Sequence, residues 1–198
     1  MTFNELMEIV RKHDDEMPAG EVAVNINAYM KDICNYVEPI FATAEITTDG
    51  EKYSFSLADF GSDIPKMFMK LRDVFVNGEP ARPLGSSIYD DIVYDETLGG
   101  VNVGISTGDD IKPMQEGNKI EIVYYSYADP VTVETEELPL SWSHPMLLWR
   151  TKADMYADKR EWDRAGYYNR RYDRSLIEFR RMFQSSGPQK IINTNTRI

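Results

Sequence analysis

Apolar positions recur every three or four residues at both ends of the chain and every second residue in between. Phe3, Leu6, Met7 and Val10 make a short helical stripe, and Thr2 with Glu5 has the spacing of a capping box. This helix is predicted to stop near His13, where DDEMPAG reads as a loop. A second helix is predicted from about Glu21 to Tyr36, with Val22, Ile26, Tyr29 or Met30, Ile33 and Val37 on one side and Cys34 beside them. From Pro39 the period changes to two. IFATAEITT, Asp49–Gly50 and KYSFSL predict a hairpin with Tyr53, Phe55 and Leu57 facing inward. SDIPKMF suits a single helical turn, Lys70–Val76 a strand, and Asn77–Gly78 a second hairpin answered by ARPL. Residues 86–97 read as either a short helix or a loop. VNVGIST is a short strand after Gly99–Gly100, and GDDIKPMQEGN is a turn-rich connection. KIEIVYYSY, 119–127, is the clearest strand, ended by Asp129–Pro130.

The longest helical pattern covers residues 138–184. Ser143 or His144 is placed to cap it, with Pro145 where a missing N–H costs nothing. Asp158 and Glu161 repeat the capping-box spacing, which predicts a break between two helices. Beyond the break, Trp162, Ala165, Tyr168 or Asn169, Tyr172, Leu176, Phe179 and Phe183 form one apolar face, weakened at its start by Gly166. Helices segregated from strands indicate an α+β fold. The expected architecture is one domain, 1–198: a helical bundle from both chain ends (about 2–38 and 144–184), an antiparallel β insertion (about 39–140) and a polar C-terminal arm, 185–198. The N-terminal helices have too little apolar face to stand alone, so the two ends are expected to pair.

Charge adds asymmetry to this picture. The net charge is −11, yet residues 150–184 hold ten Lys+Arg against six Asp+Glu, while residues 1–149 hold ten against twenty-seven. Such a chain is not a general nucleic-acid binder, but an acidic body and a basic helix can meet in neighbouring copies. On the last helix Arg170, Arg174 and Arg181 share one face, with Arg160, Arg164 and Arg171 on an adjoining stripe and Arg180 close by. Arginine forms bidentate pairs with carboxylates and is common at interfaces. The tail SSGPQKIINTNTRI has only Ile191, Ile192 and Ile198 to bury, with Lys190 and Arg197 as its charges. By itself it is expected to be disordered, and it suits an arm that folds onto a partner.

Catalytic chemistry finds little support. Only two histidines are present, and His13 before Asp14, Asp15 and Glu16 matches no zinc or EF-hand spacing. The carboxylates of Tyr89–Glu96 read as a solvated acidic loop, GDD at 108–110 as ordinary turn residues, and LGGVNVG lacks the lysine and following helix of a phosphate cradle. Cys34 reads as a small buried hydrophobe, and a single cysteine fits a reducing cytoplasm. No run reaches the roughly 18 apolar residues of a membrane span, and MTFNELMEIV is not a signal peptide. No catalytic residue, metal or cofactor is expected.

The N-terminal helix pair, Tyr53-Ser-Phe-Ser-Leu57 before a short turn, the strand KIEIVYYSYADP, the Leu138-Pro139 step and a helical hairpin rich in Tyr and Arg occur here in one order. Over roughly residues 20–184 this order resembles the head-to-tail adaptor proteins of tailed bacteriophages, nearest to those of short-tailed and crAss-like phages. ADFGSDIP departs from the family pattern, since Asp59 stands where a second proline step is common and the proline comes later, at Pro65. The resemblance implies a structural virion protein made in the host cytoplasm. It would form a homo-oligomeric ring (a dodecamer) beneath the portal protein, extend the DNA channel without binding DNA specifically, and dock other tail or neck proteins. It has no membrane role. The interface residues expected are Arg164, Arg170, Arg171, Arg174, Arg180 and Arg181 with Lys190, Ile191, Ile192, Arg197 and Ile198 of the arm. A stopper or tail-completion protein is the second reading, and a soluble bacterial enzyme or regulator the third.

Overall fold

A computed structural model describes residues 1–12, 17–38, 40–86, 91–108, 110–135 and 137–185. The His13–Glu16 cluster, Asp109, part of the 86–97 stretch and the arm from Ser186 onward lie outside the described residues. The chain begins with α1 (Phe3–Arg11) and α2 (Ala19–Val37). Strands β1 (Phe41–Thr47) and β2 (Ser54–Ser56) follow, then the short helices α3 (Leu57–Phe60) and α4 (Ile64–Met67). Next come β3 (Phe68–Val76), β4 (Glu79–Pro80), β5 (Arg82–Pro83), β6 (Ile92–Thr97), β7 (Gly100–Ser106), β8 (Ile111–Lys112) and β9 (Lys119–Ser126). Helices α5 (His144–Asp158) and α6 (Trp162–Ser185) complete the order. The fold is mixed α+β with antiparallel sheets, and the chain divides into two compact units.

The first unit holds Met1–Ile40 and the segment that starts at Tyr127. Thr2 caps α1 in a full capping box with Glu5, and Phe3, Leu6, Met7 and Val10 are buried. On α2 the buried side is Val22, Ala23, Ile26, Tyr29, Met30, Ile33, Cys34 and Val37, as the period of its sequence predicts. Met146, Leu147 and Met155 of α5 and Tyr172 of α6 share this core with Val131 and Leu138. The β region ends at Ser126 rather than near 140. Beyond it Asn27 fastens the chain to α2, its side-chain amide donating to the Val131 carbonyl at 2.8 Å and its oxygen accepting the Val131 N–H at 2.7 Å. Ser143 stands before α5 but does not cap it. A 3-10 turn, Ser141–Ser143, precedes the helix, and the Ser143 hydroxyl donates instead to the Leu140 carbonyl.

The second unit contains two sheets, in the orders β1-β9-β3-β4 and β2-β7-β6-β5, with β8 on β7. Both line one core of Phe55, Leu57, Phe60, Val74, Val76, Val101, Val103, Ile120, Ile122 and Tyr124. Every ladder is antiparallel except the two-residue pairing of β5 with β6, which is parallel. Four sequence expectations change here. The Asp49–Gly50 hairpin does not form: β1 pairs with β9 and β2 with β7, in different sheets. The Asp49 carboxylate accepts the N–H groups of Glu51 and Lys52, and Thr48 is held by the 115–118 turn, so the chain crosses between sheets instead of doubling back. Phe55 and Leu57 face the core, while Tyr53 is exposed.

The Asn77–Gly78 hairpin does form. Both residues have positive φ, 52° and 86°, the signature of a two-residue turn matched to strand twist. Its return strand, however, is β4, not ARPL. Prolines 80 and 83 withhold ladder N–H groups, and Arg82–Pro83 leaves to pair with β6. Within 86–97, Ile92–Thr97 is neither helix nor loop but a strand, paired along its length with β7.

Candidate protein interface on the last helix

Helices α5 and α6 meet at a turn with a specific hydrogen-bond pattern. Arg160 N–H donates to the Ala157 carbonyl and Glu161 N–H to the Tyr156 carbonyl, with Arg160 left-handed at φ 60°. These two bonds make a Schellman motif, in which arginine occupies the position usually given to glycine. The break falls near where the sequence puts it, but by this motif and not by the expected capping box: Asp158 is the last residue of α5, and Glu161 immediately precedes α6. Two side-chain pairs lie at the reversal: Glu161 binds Arg164 at 2.8 Å at the start of α6, and the Tyr156 and Tyr168 rings stack across it with centroids 5.7 Å apart.

The inward side of α6 is a run of Ala165 and Tyr172, which are buried, with Leu176, Phe179 and Phe183 partly buried against the helical core. Trp142 packs on Phe179 and Phe183 at 4.8 and 5.2 Å between centroids. Trp162, expected on this face, is instead 67 % exposed. It stands on the first turn after the reversal, where the helix has only just begun to pack. Beside the apolar run lies a polar cluster that ties α2, α5 and α6 together. Arg150 donates to Asn169 Oδ1 at 2.7 Å, pairs with Asp154, and lies over the rings of Tyr29 and Tyr172. The Tyr29 hydroxyl donates to Asp154. Burial, and then the Asp154 carboxylate, push the Tyr29 phenol well above the usual tyrosine range. Burial also pushes Tyr172 up to about 12.

All six arginines singled out on α6 are exposed, and they fall into two groups. Arg164 lies over the Tyr156 ring as well as on Glu161, Arg171 over Trp149 and Tyr167, and Arg180 over Tyr36 at 4.8 Å. These three cations rest on the aromatic surface of their own unit. Arg170, Arg174 and Arg181 have no side-chain ion pair, hydrogen bond or ring contact among the described residues. With Ile177, which is 43 % exposed, they stand at i, i+4, i+11 and i+7, a single stripe down the outward side of α6. Sequence reasoning missed Ile177. The signal was present, because an isoleucine in phase with arginines has no place on the inward face. The arm residues Lys190, Ile191, Ile192, Arg197 and Ile198 lie outside the described residues.

Other candidate chemistry is occupied by packing. His144 Nε2 donates to the Leu138 carbonyl at 2.8 Å, and its Nδ1 accepts from the Met1 amino group at 3.0 Å, which anchors the start of the chain. Cys34 is fully buried, its thiol pushed up by burial while Ala128 N–H donates to its sulfur. Among the described residues no three His, Cys, Asp or Glu side chains form a metal-binding group, and no helix is long and apolar enough to cross a membrane. A cavity of about 190 Å³ at the α5–α6 reversal is lined by Lys12, Lys152, Lys159, Glu161 and Arg164 over Met155 and Tyr156. No protein-family model matches this chain, and no curated protein sequence does.

Proposed function

We propose that this chain is a structural head-to-tail adaptor of a tailed bacteriophage, a virion protein that assembles as a ring beneath the portal and extends the channel through which DNA leaves. The observation that carries the reading is the outward stripe of α6. Three guanidiniums around one exposed isoleucine, without a partner among the described residues, sit in a chain of net charge −11. Exposed arginines framing an apolar side chain are the composition of an interface, and acidic surface on a neighbouring copy or on the portal is the complement. A ring needs head-to-tail contacts that close, and one basic helix on an otherwise acidic molecule can supply both halves. Helices from the two chain ends would form the bundle carrying this stripe, with the β region turned to other neck or tail proteins. An acidic channel wall favours DNA exit, because fixed phosphate contacts would hold it back. The reading assigns no catalytic role, and the sequence resemblance points the same way.

Replacing Arg170, Arg174 and Arg181 together with glutamate is expected to abolish incorporation into particles, scored by electron microscopy of the head–tail junction. Circular dichroism should be unchanged, since none of the three has a partner among the described residues. Normal incorporation of this variant would refute the assignment. Density that stays clear of the portal would favour a tail-completion role over an adaptor.

A further inference from the structure

Among the described residues, the first sheet of the β unit ends at β1, whose outer edge carries no further strand. Strand β1 pairs with β9 residue for residue over seven positions, Phe41 with Tyr125 through Thr47 with Lys119, without a bulge. The direction of its backbone groups follows from two neighbouring bonds. Thr48 N–H donates to the Asn118 carbonyl, while on the opposite side of β9 Asn77 N–H donates to the Lys119 carbonyl. Backbone groups alternate in an antiparallel strand. Ala42, Ala44 and Ile46 therefore bond to β9, and Phe41, Thr43, Glu45 and Thr47 turn theirs outward. Among the described residues nothing pairs with these outward groups.

Natural sheets protect such edges with proline, a bulge, lysine or extreme shortness. Strand β1 has none of these devices. Its one charge, Glu45, is paired with Lys119 of its own sheet. Its inner side chains, Ala42, Ala44 and Ile46, are already packed on the core. The remaining need is a row of backbone partners.

The sequence contains a segment made for that role. Ile192, Thr194, Thr196 and Ile198 alternate with Asn193, Asn195 and Arg197, seven residues with a β-branched side chain at every second position. The length equals that of β1. Lys190 and Arg197 give residues 190–198 two positive charges and no negative one, whereas residues 41–126 hold fifteen Asp+Glu against seven Lys+Arg. We infer that Ile192–Ile198 adds to the outer edge of β1 as a further strand. Backbone hydrogen bonds supply the attachment, and charge favours the approach. The occupant is the chain's own segment Ile192–Ile198, and the pairing stands apart from the adaptor reading.

Hydrogen exchange on the full-length chain, resolved at residues 41–47, tests this. The comparison is a variant carrying Thr194→Pro and Asn195→Pro, which withholds an N–H in either register of the added strand. The amides of Thr43, Glu45 and Thr47 are expected to exchange at least about tenfold faster in the variant, while those of Ala42, Ala44 and Ile46 keep their protection. Equal exchange at the three outward amides in the two chains would overturn the inference. So would a uniform loss over all of β1, which would mean that the tail steadies the sheet at large and not its edge.

Discussion

Tyr172 buries its hydroxyl in the helical unit with no hydrogen-bond partner among the described residues, although Arg150 lies over its ring. A buried unpaired hydroxyl is a net cost, and the ring's packing and cation contact survive its removal. Tyr172→Phe is therefore expected to raise unfolding stability by about 1 kcal/mol, read by urea denaturation. The same residue predicts an alkaline limit. In the unfolded chain the phenol ionises near 10, in the folded chain near 12, so the folded state keeps its proton longer. Its contribution is complete below about pH 10 and is lost as the pH rises through about 12. Tyr29 shifts in the same direction. Stability of the wild type should fall across that window, and Tyr172→Phe should flatten the fall.

At the scale of elements, the α5–α6 reversal and the strand pairings behave differently. The reversal is local: it forms close to the break expected at Asp158 and Glu161, though Asp158 ends α5 instead of capping α6 and the left-handed position went to Arg160. A non-glycine residue in that region carries a steric penalty. Arg160→Gly should thus stabilise the chain by about 0.5–1 kcal/mol in thermal or chemical unfolding, less the entropy glycine adds to the unfolded state. A loss of stability would mean that the Arg160 side chain contributes contacts of its own. Strand pairing is not local. Asp49–Gly50 has the composition of a hairpin, but Asp49 spends its carboxylate on the next two amides and β2 joins another sheet. Asn77–Gly78, with positive φ at both positions, does reverse the chain. The difference is set by what the following residues meet, which no dipeptide encodes.

For the whole molecule the deciding quantity is the separation of charge. Residues 150–184 are net basic and residues 1–149 strongly acidic. Contacts between such surfaces weaken when salt shortens the Debye length, from roughly 14 Å at 0.05 M to about 4 Å at 0.5 M ionic strength. Self-association of the full-length chain, followed by sedimentation velocity, should decrease over that range, and the Arg170, Arg174 and Arg181 to glutamate variant should show no such dependence. Association that strengthens with salt would point to Ile177 and the exposed Trp162 as the principal contacts, and the electrostatic account of the stripe would be withdrawn.

By itself the sequence determined what depends on near neighbours. The stripes of α1 and α2, that of α6 from Ala165 onward, the capping box at Thr2, the burial of Cys34 and the place of the break before Trp162 follow from spacing, because helical period and capping act within one or two turns. The switch to a period of two marked the β region, though its last strand ended at Ser126 and the chain beyond it is held at Val131 by Asn27, a hundred residues away in the sequence. Tertiary structure alone decided which strand lies beside which, because alternation records a face and not a partner. It also divided the arginines of α6. Arg164, Arg171 and Arg180 found aromatic rings on other segments, Arg170, Arg174 and Arg181 did not, and only packing in space could separate residues of the same type on the same helix.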